Sequence, residues 1–135
     1  MSEEVRLTVE DLQVLYQSAL DEVNRLSAVL MDLNRSRETL EALSRLEEGG
    51  EESGPVIIHV GSYLALVVPQ VKIDRVLVAM GANIFVEMDV DEAKKRIEEY
   101  ASDVRERLLR AQVNLRNVEA LLVRAIQEQR ESVKK

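Results

Sequence analysis

The chain has 135 residues and a formal net charge of −7, with 46% hydrophobic, 32% charged and only 3% aromatic residues. That balance suits long helices better than a core centred on aromatic side chains. The acidity argues against nucleic acid, which selects a basic face, and the absence of cysteine excludes disulfides, thiol nucleophiles and thiolate metal sites.

In chain order, the N-terminal MSEEVRLTVED is acidic and lacks an apolar h-region, so no signal peptide is expected. Thr8 with Asp11 three residues on predicts a capping box opening a helix over 8–48. Its apolar residues keep a heptad in two rows. One row is Val5, Leu12, Ala19, Leu26, Leu33 and Leu40; the other is Val9, Tyr16, Val23 and Leu30, which turns polar at Arg37 and Ser44. Alternating steps of four and three are the mark of a coiled coil. The glycine- and acid-rich stretch 49–54 cannot pack and is expected to be a linker.

The middle block, 55–88, is β-branched and punctuated by glycine. Its greasiest part, Gly54 to Pro69, is too short to span a membrane and is interrupted at Gly61-Ser62. Val56–Val60 and Tyr63–Val68 around a Gly-first, two-residue turn predict one hairpin. Arg75–Met80 and Ile84–Met88 around Gly81-Ala82-Asn83 predict a second, with Gly and Asn supplying positive φ. Most of these strands are apolar on both faces, unlike a sheet that is wet on one side. With the helices expected to occupy each other, both faces are expected to be covered by other subunits. The assembly residues are Val56, Ile58, Val60, Leu64, Leu66, Val68, Val76, Val78, Ile84 and Val86.

Asp89 with Glu92 predicts the start of a second helix over 89–133. Its seam runs from Val90 through Ala93, Ile97, Tyr100, Val104, Leu108 and on to Ala125, with a stutter near Val104. Two helices of about 40 residues, each roughly 60 Å long, suit an antiparallel coiled coil with the middle block at one end. Leu40 is then expected near Ile97, Leu12 near Ala125, and Arg37 in an ion pair near Tyr100 and Asp103.

Chemistry is sparse. His59 is the only histidine and falls mid-strand, and no other His or Cys exists to join it at a zinc site. Gly49-Gly50 lacks the Lys-Ser/Thr of a phosphate loop. Asp89 and Asp91 are explained by the dipole of a helix start. No catalytic residue, metal or cofactor is expected. The helix ends carry surplus apolar residues: Val5, Leu7, Val9 and Leu12 on one, Leu122, Val123, Ile126 and Val133 on the other. These read either as a thick, ragged seam or as exposed patches suited to non-native chains.

Helix, linker, two hairpins, helix: this order resembles prefoldin. The segment Arg75-Val76-Leu77-Val78-Ala79-Met80-Gly81-Ala82-Asn83-Ile84-Phe85-Val86-Glu87-Met88 is similar to that family's second hairpin, and Pro55-Val56-Ile57-Ile58 to Gly61-Ser62-Tyr63 to its first. Asn83 departs from the glycine common there. Two hairpins rather than one resemble the alpha-type subunit. The resemblance implies a single domain over 1–135 and an α+β fold, a long antiparallel two-helix coiled coil whose two β-hairpins join an inter-subunit β-barrel. It implies a cytoplasmic, ATP-independent holdase, a hexamer of two alpha-type and four beta-type subunits that passes unfolded proteins to a group II chaperonin. Neither nucleic acid nor membrane is an implied partner. A self-assembling filament or coiled-coil scaffold is the alternative.

Overall fold

The computed structural model describes residues 7–49, 55–69 and 73–133. The element order is α1 (Val9–Gly49), β1 (Val56–His59), β2 (Ala65–Val68), β3 (Arg75–Ala79), β4 (Phe85–Asp89) and α2 (Val90–Val133). The expected elements are all present, displaced by a residue or two at their ends. Val5 and most of the expected linker, 50–54, lie outside the described residues, and Gly49 closes α1.

Both helix starts are capped. The Thr8 N–H donates to Asp11 Oδ2 and the Asp11 N–H to Thr8 Oγ1, each at 3.1 Å, so two orphan donors are satisfied reciprocally. At α2 the Glu92 N–H donates to Asp89 Oδ1 at 2.7 Å.

The chain divides into two compact units, one of 1–32 with 101–135 and one of 33–100. In the first, the buried residues are seam residues: Leu12, Ala19 and Leu26 on α1, Ala101 and Val104 on α2. Glu22 on α1 and Arg107 on α2 also interact there. The Glu22 carboxyl is held below its ordinary range chiefly by a hydrogen bond from Arg25, and by the charges of Arg25 and Arg107.

The second unit holds the hairpins. Its core joins Leu40 of α1, Val78 of β3, Met88 of β4, and Val90 and Ala93 of α2, with Val76 and Ile97 packed against them. Leu40 and Ile97 therefore share a cluster, as the heptad register requires. Arg37 and Glu98 pair at 3.1 Å and Glu41 and Lys94 at 3.5 Å, so four residues forward on α1 answers four back on α2. The helices of this unit run antiparallel. The carboxylate that Arg37 pairs with is Glu98, and an exposed pair of this kind contributes about 0–1 kcal/mol. Ser44 leaves a buried hydroxyl with no hydrogen-bond partner among the described residues. Ser44→Ala removes that desolvated donor and improves helix propensity, so a gain of about 1 kcal/mol is expected in denaturant unfolding.

The two hairpins, β1–β2 and β3–β4, form separate antiparallel sheets. Val60 N–H donates to the Leu64 carbonyl at 2.9 Å, and Met80 N–H to the Ile84 carbonyl at 2.8 Å. Each bond encloses three residues, Gly61-Ser62-Tyr63 and Gly81-Ala82-Asn83. The first turn therefore has three residues where two were expected. A glycine at φ near +100° opens each turn. In the second turn Ala82 (φ 49°) and Asn83 (φ 61°) are also left-handed, and the Ile84 N–H donates to the Gly81 carbonyl at 2.9 Å. Asparagine tolerates this region, whereas alanine carries a Cβ penalty of about 1–2 kcal/mol. Ala82→Gly is therefore expected to stabilise the chain by about 1 kcal/mol, read as a raised unfolding midpoint.

Candidate assembly and binding surfaces

The register decides which side chains share a face, because directly paired residues lie side by side. In the first hairpin Val56 pairs with Val68, Ile58 with Leu66, and Val60 lies opposite Leu64. All six expected assembly residues of this hairpin therefore fall on one face. A two-residue turn would have slipped one strand by a residue and split them between faces. The extra loop residue is Tyr63, wholly exposed at the tip (102%). The reverse face carries Ile57, His59, Ala65 and Val67, with Ile57 and Val67 both exposed.

In the second hairpin Val76, Val78, Met80, Ile84, Val86 and Met88 share a face. That face is graded. Val78 (8% exposed) and Met88 are buried against the helices, and Val76 is half-buried, whereas Met80, Ile84 and Val86 near the turn are exposed. Two expectations change here. The helices are not wholly occupied with each other, since Leu40, Val90 and Ala93 cover the base of this hairpin. Val76 and Val78, assigned to subunit assembly, are committed to the chain's own core. The reverse face exposes Leu77 and Phe85 beside an Arg75–Glu87 ion pair at 3.3 Å. Neither apolar residue had been assigned a role, although their alternation with Val76, Val78 and Val86 was the available signal.

At the helix ends the expected client-binding residues separate by exposure. Leu7, Val123 and Val133 are exposed; Val9, Leu122 and Ile126 are half-buried; Val5 lies outside the described residues. Leu12 is corrected: only 4% exposed, it belongs to the seam and offers no surface to a ligand.

His59 is exposed and faces Ala65 across the first hairpin. Among the described residues no group of His, Asp or Glu could hold a metal ion, and no helix is long and apolar enough to cross a membrane. Concave features among the described residues include open grooves lined largely by charged and polar side chains, such as that of Arg37, Glu38, Glu41, Ala42 and Arg45. Among the described residues, the hairpins present exposed apolar surface.

The family model for "Prefoldin subunit" matches residues 12–131, taking in both helices and both hairpins. The chain belongs to the prefoldin family. Prefoldin subunit alpha 2 of Methanocaldococcus jannaschii is 37% identical over 78 residues, 58% of this chain and 50% of that one. The chain thus matches about half the length of this curated prefoldin relative. A solved structure, the filamentous PFD of Methanocaldococcus jannaschii seen by cryo-electron microscopy, matches with a TM-score of 0.65 and 27% identity. That match covers 89% of this chain and 96% of the other. Two long helices framing two antiparallel hairpins are the prefoldin fold.

Proposed function

We propose that this chain is an alpha-type subunit of an ATP-independent holdase that assembles through its hairpins and holds non-native polypeptides at its helix ends. The observation that carries this reading is the apolar surface left bare on both hairpins of a prefoldin-family chain. Ile58, Leu66, Ile84 and Val86 are exposed on the assembly faces, and Ile57, Val67, Leu77 and Phe85 on the reverse. Bare two-stranded sheets are marginal in water, and their free edges template further pairing. Sister subunits that add strands and cover these faces turn that liability into an inter-subunit β-barrel. The reading places the assembly in the cytoplasm as a hexamer of two such chains with four beta-type subunits, delivering clients to a group II chaperonin.

Client binding belongs to Leu7, Val123 and Val133, with half-buried Val9, Leu122 and Ile126 widening the patches; Val5, assigned with them from the sequence, lies outside the described residues. Removing about the first dozen residues and about the last fourteen, from Leu122 on, is expected to leave assembly intact and to abolish suppression of client aggregation, because the exposed apolar patches go with them. A trimmed assembly that protects an aggregating client as well as the full one sinks the assignment of client binding to the helix ends.

A second reading is favoured by one observation, the filamentous state of the solved relative. The same hairpin surfaces could join copies of this chain end to end into a filament or scaffold. Sedimentation of the purified chain alone separates the two. Long polymers support the filament, and small species that become hexameric only with a beta-type partner support the chaperone.

A further inference from the structure

In the unit formed by 1–32 and 101–135, each helix carries a second heptad row on the face turned away from its seam. On α1 it is Val14, Asp21 and Ala28, each two residues and so about 200° beyond seam residues Leu12, Ala19 and Leu26, with Gln17, Asn24 and Met31 between. On α2 it is Leu109, Val113, Arg116, Ala120 and Val123, spaced four, three, four, three. Every one of these residues is exposed, Val14 at 70% and Leu109 at 63%. A helix packed on a single partner has no use for such a row, and sustained alternation of fours and threes is the pattern that a further helix reads.

The helix segments that carry the two rows are complementary in charge, and each row holds one charge, Asp21 on α1 and Arg116 on α2. Residues 9–32 carry five carboxylates against Arg25 alone, while residues 104–124 carry five arginines against Glu106 and Glu119. Antiparallel alignment sets Asp21 opposite Arg116, and the same register places Val14 opposite Val123 and Ala28 opposite Leu109. The apolar pairs Val14–Val123 and Ala28–Leu109 flank a central ion pair, with Gln17 opposite Ala120 and Asn24 opposite Val113 in the layers between. The Asp21 carboxylate is already oriented by Gln17, whose Nε2 donates to Oδ1 at 2.9 Å, and Arg116 makes no ion pair among the described residues. On the flank Asp11 faces Arg124. The one like-charged flanking pair, Arg25 and Arg110, is neutralised within each helix by Glu22 and Glu106.

We propose that the outer face of α2 in one copy docks antiparallel on the outer face of α1 in a second copy of this chain, centred on Arg116 and Asp21. The contact is lateral, between helix pairs, and independent of hairpin assembly. Its polar members make it weak and salt-sensitive.

The absence of cysteine permits a direct test with the full chain. Val14→Cys in one preparation is mixed with Val123→Cys in a second, size-distinguishable preparation and oxidised, and the mixed dimer is read on a denaturing gel. Ala28→Cys with Leu109→Cys is the second matched pair, and Val14→Cys with Leu109→Cys is the mismatched control. Matched pairs are expected to link and the mismatched pair not. Adding Arg116→Asp to the Val123→Cys chain is expected to cut the matched yield by about tenfold, the scale of a coupled interfacial charge pair. Adding Asp21→Arg to the Val14→Cys chain is expected to restore it. Equal yields for matched and mismatched pairs, no linkage at all, or indifference to the charge exchange overturns the proposal. A client polypeptide occupying these rows instead would give the second of those results.

Discussion

Leu40→Ala is expected to destabilise the hairpin-bearing unit by about 2–5 kcal/mol, the range for emptying a buried leucine site. Leu40 is 6% exposed and packs where α1, the base of the second hairpin and the start of α2 converge, against Val78, Met88, Val90 and Ala93. Those neighbours come from three separate elements, β3, β4 and α2, so the cavity cannot close by moving one side chain. Ala93 has too little side chain to reach into it. Denaturant unfolding followed through the helical signal provides the measurement. Leu77→Ala, on the exposed reverse face of the same hairpin, is the control and should change stability by no more than about 0.5 kcal/mol. Equal effects of the two substitutions would mean that the second hairpin is not anchored on the helices.

The double substitution Leu66→Asp with Val86→Asp is expected to abolish assembly while leaving the chain folded. Both side chains are exposed on the faces shared by the assembly residues, so a carboxylate at either position remains hydrated in the isolated chain. On assembly each must be desolvated against apolar strands, at a cost of several kcal/mol per charge. Two such costs correspond to a loss of affinity of well over a thousandfold. Sedimentation should show a single small species where the unaltered chain, with its partner subunits, assembles, and circular dichroism should show unchanged helix content. Assembly that persists in the double variant would move the subunit interface to the reverse faces, where Ile57, Val67, Leu77 and Phe85 are exposed.

How far the sequence could be read differs from element to element. The helices were legible because their signals are local. Thr8 and Asp11 sit three apart and cap each other, Asp89 and Glu92 do the same in one direction, and the leucine rows repeat every seven residues. The second turn was legible in length, though the left-handed conformation of Ala82 was not, since alanine gives no local reason to adopt it. The first turn was misread by one residue. Gly61-Ser62 satisfies a two-residue turn locally, and only the pairing of Ile58 with Leu66 and His59 with Ala65 shows that Tyr63 is in the loop. At the helix ends composition identified apolar residues but could not sort them. Leu12 and Val123 look alike in sequence, and one is buried and the other exposed.

Sequence alone determined the class of this protein: its elements, their order, their caps and the family they resemble. Each of these rests on residues within a few positions of one another, or on a strict repeat. Tertiary structure alone decided which apolar surface is already used. Val78 and Leu77 are neighbours with similar hydropathy, yet one is sealed beneath Leu40 and the other is bare. The difference arises because the strand's two faces meet different surroundings, helix on one side and water on the other, and contacts between distant parts of the chain set those surroundings.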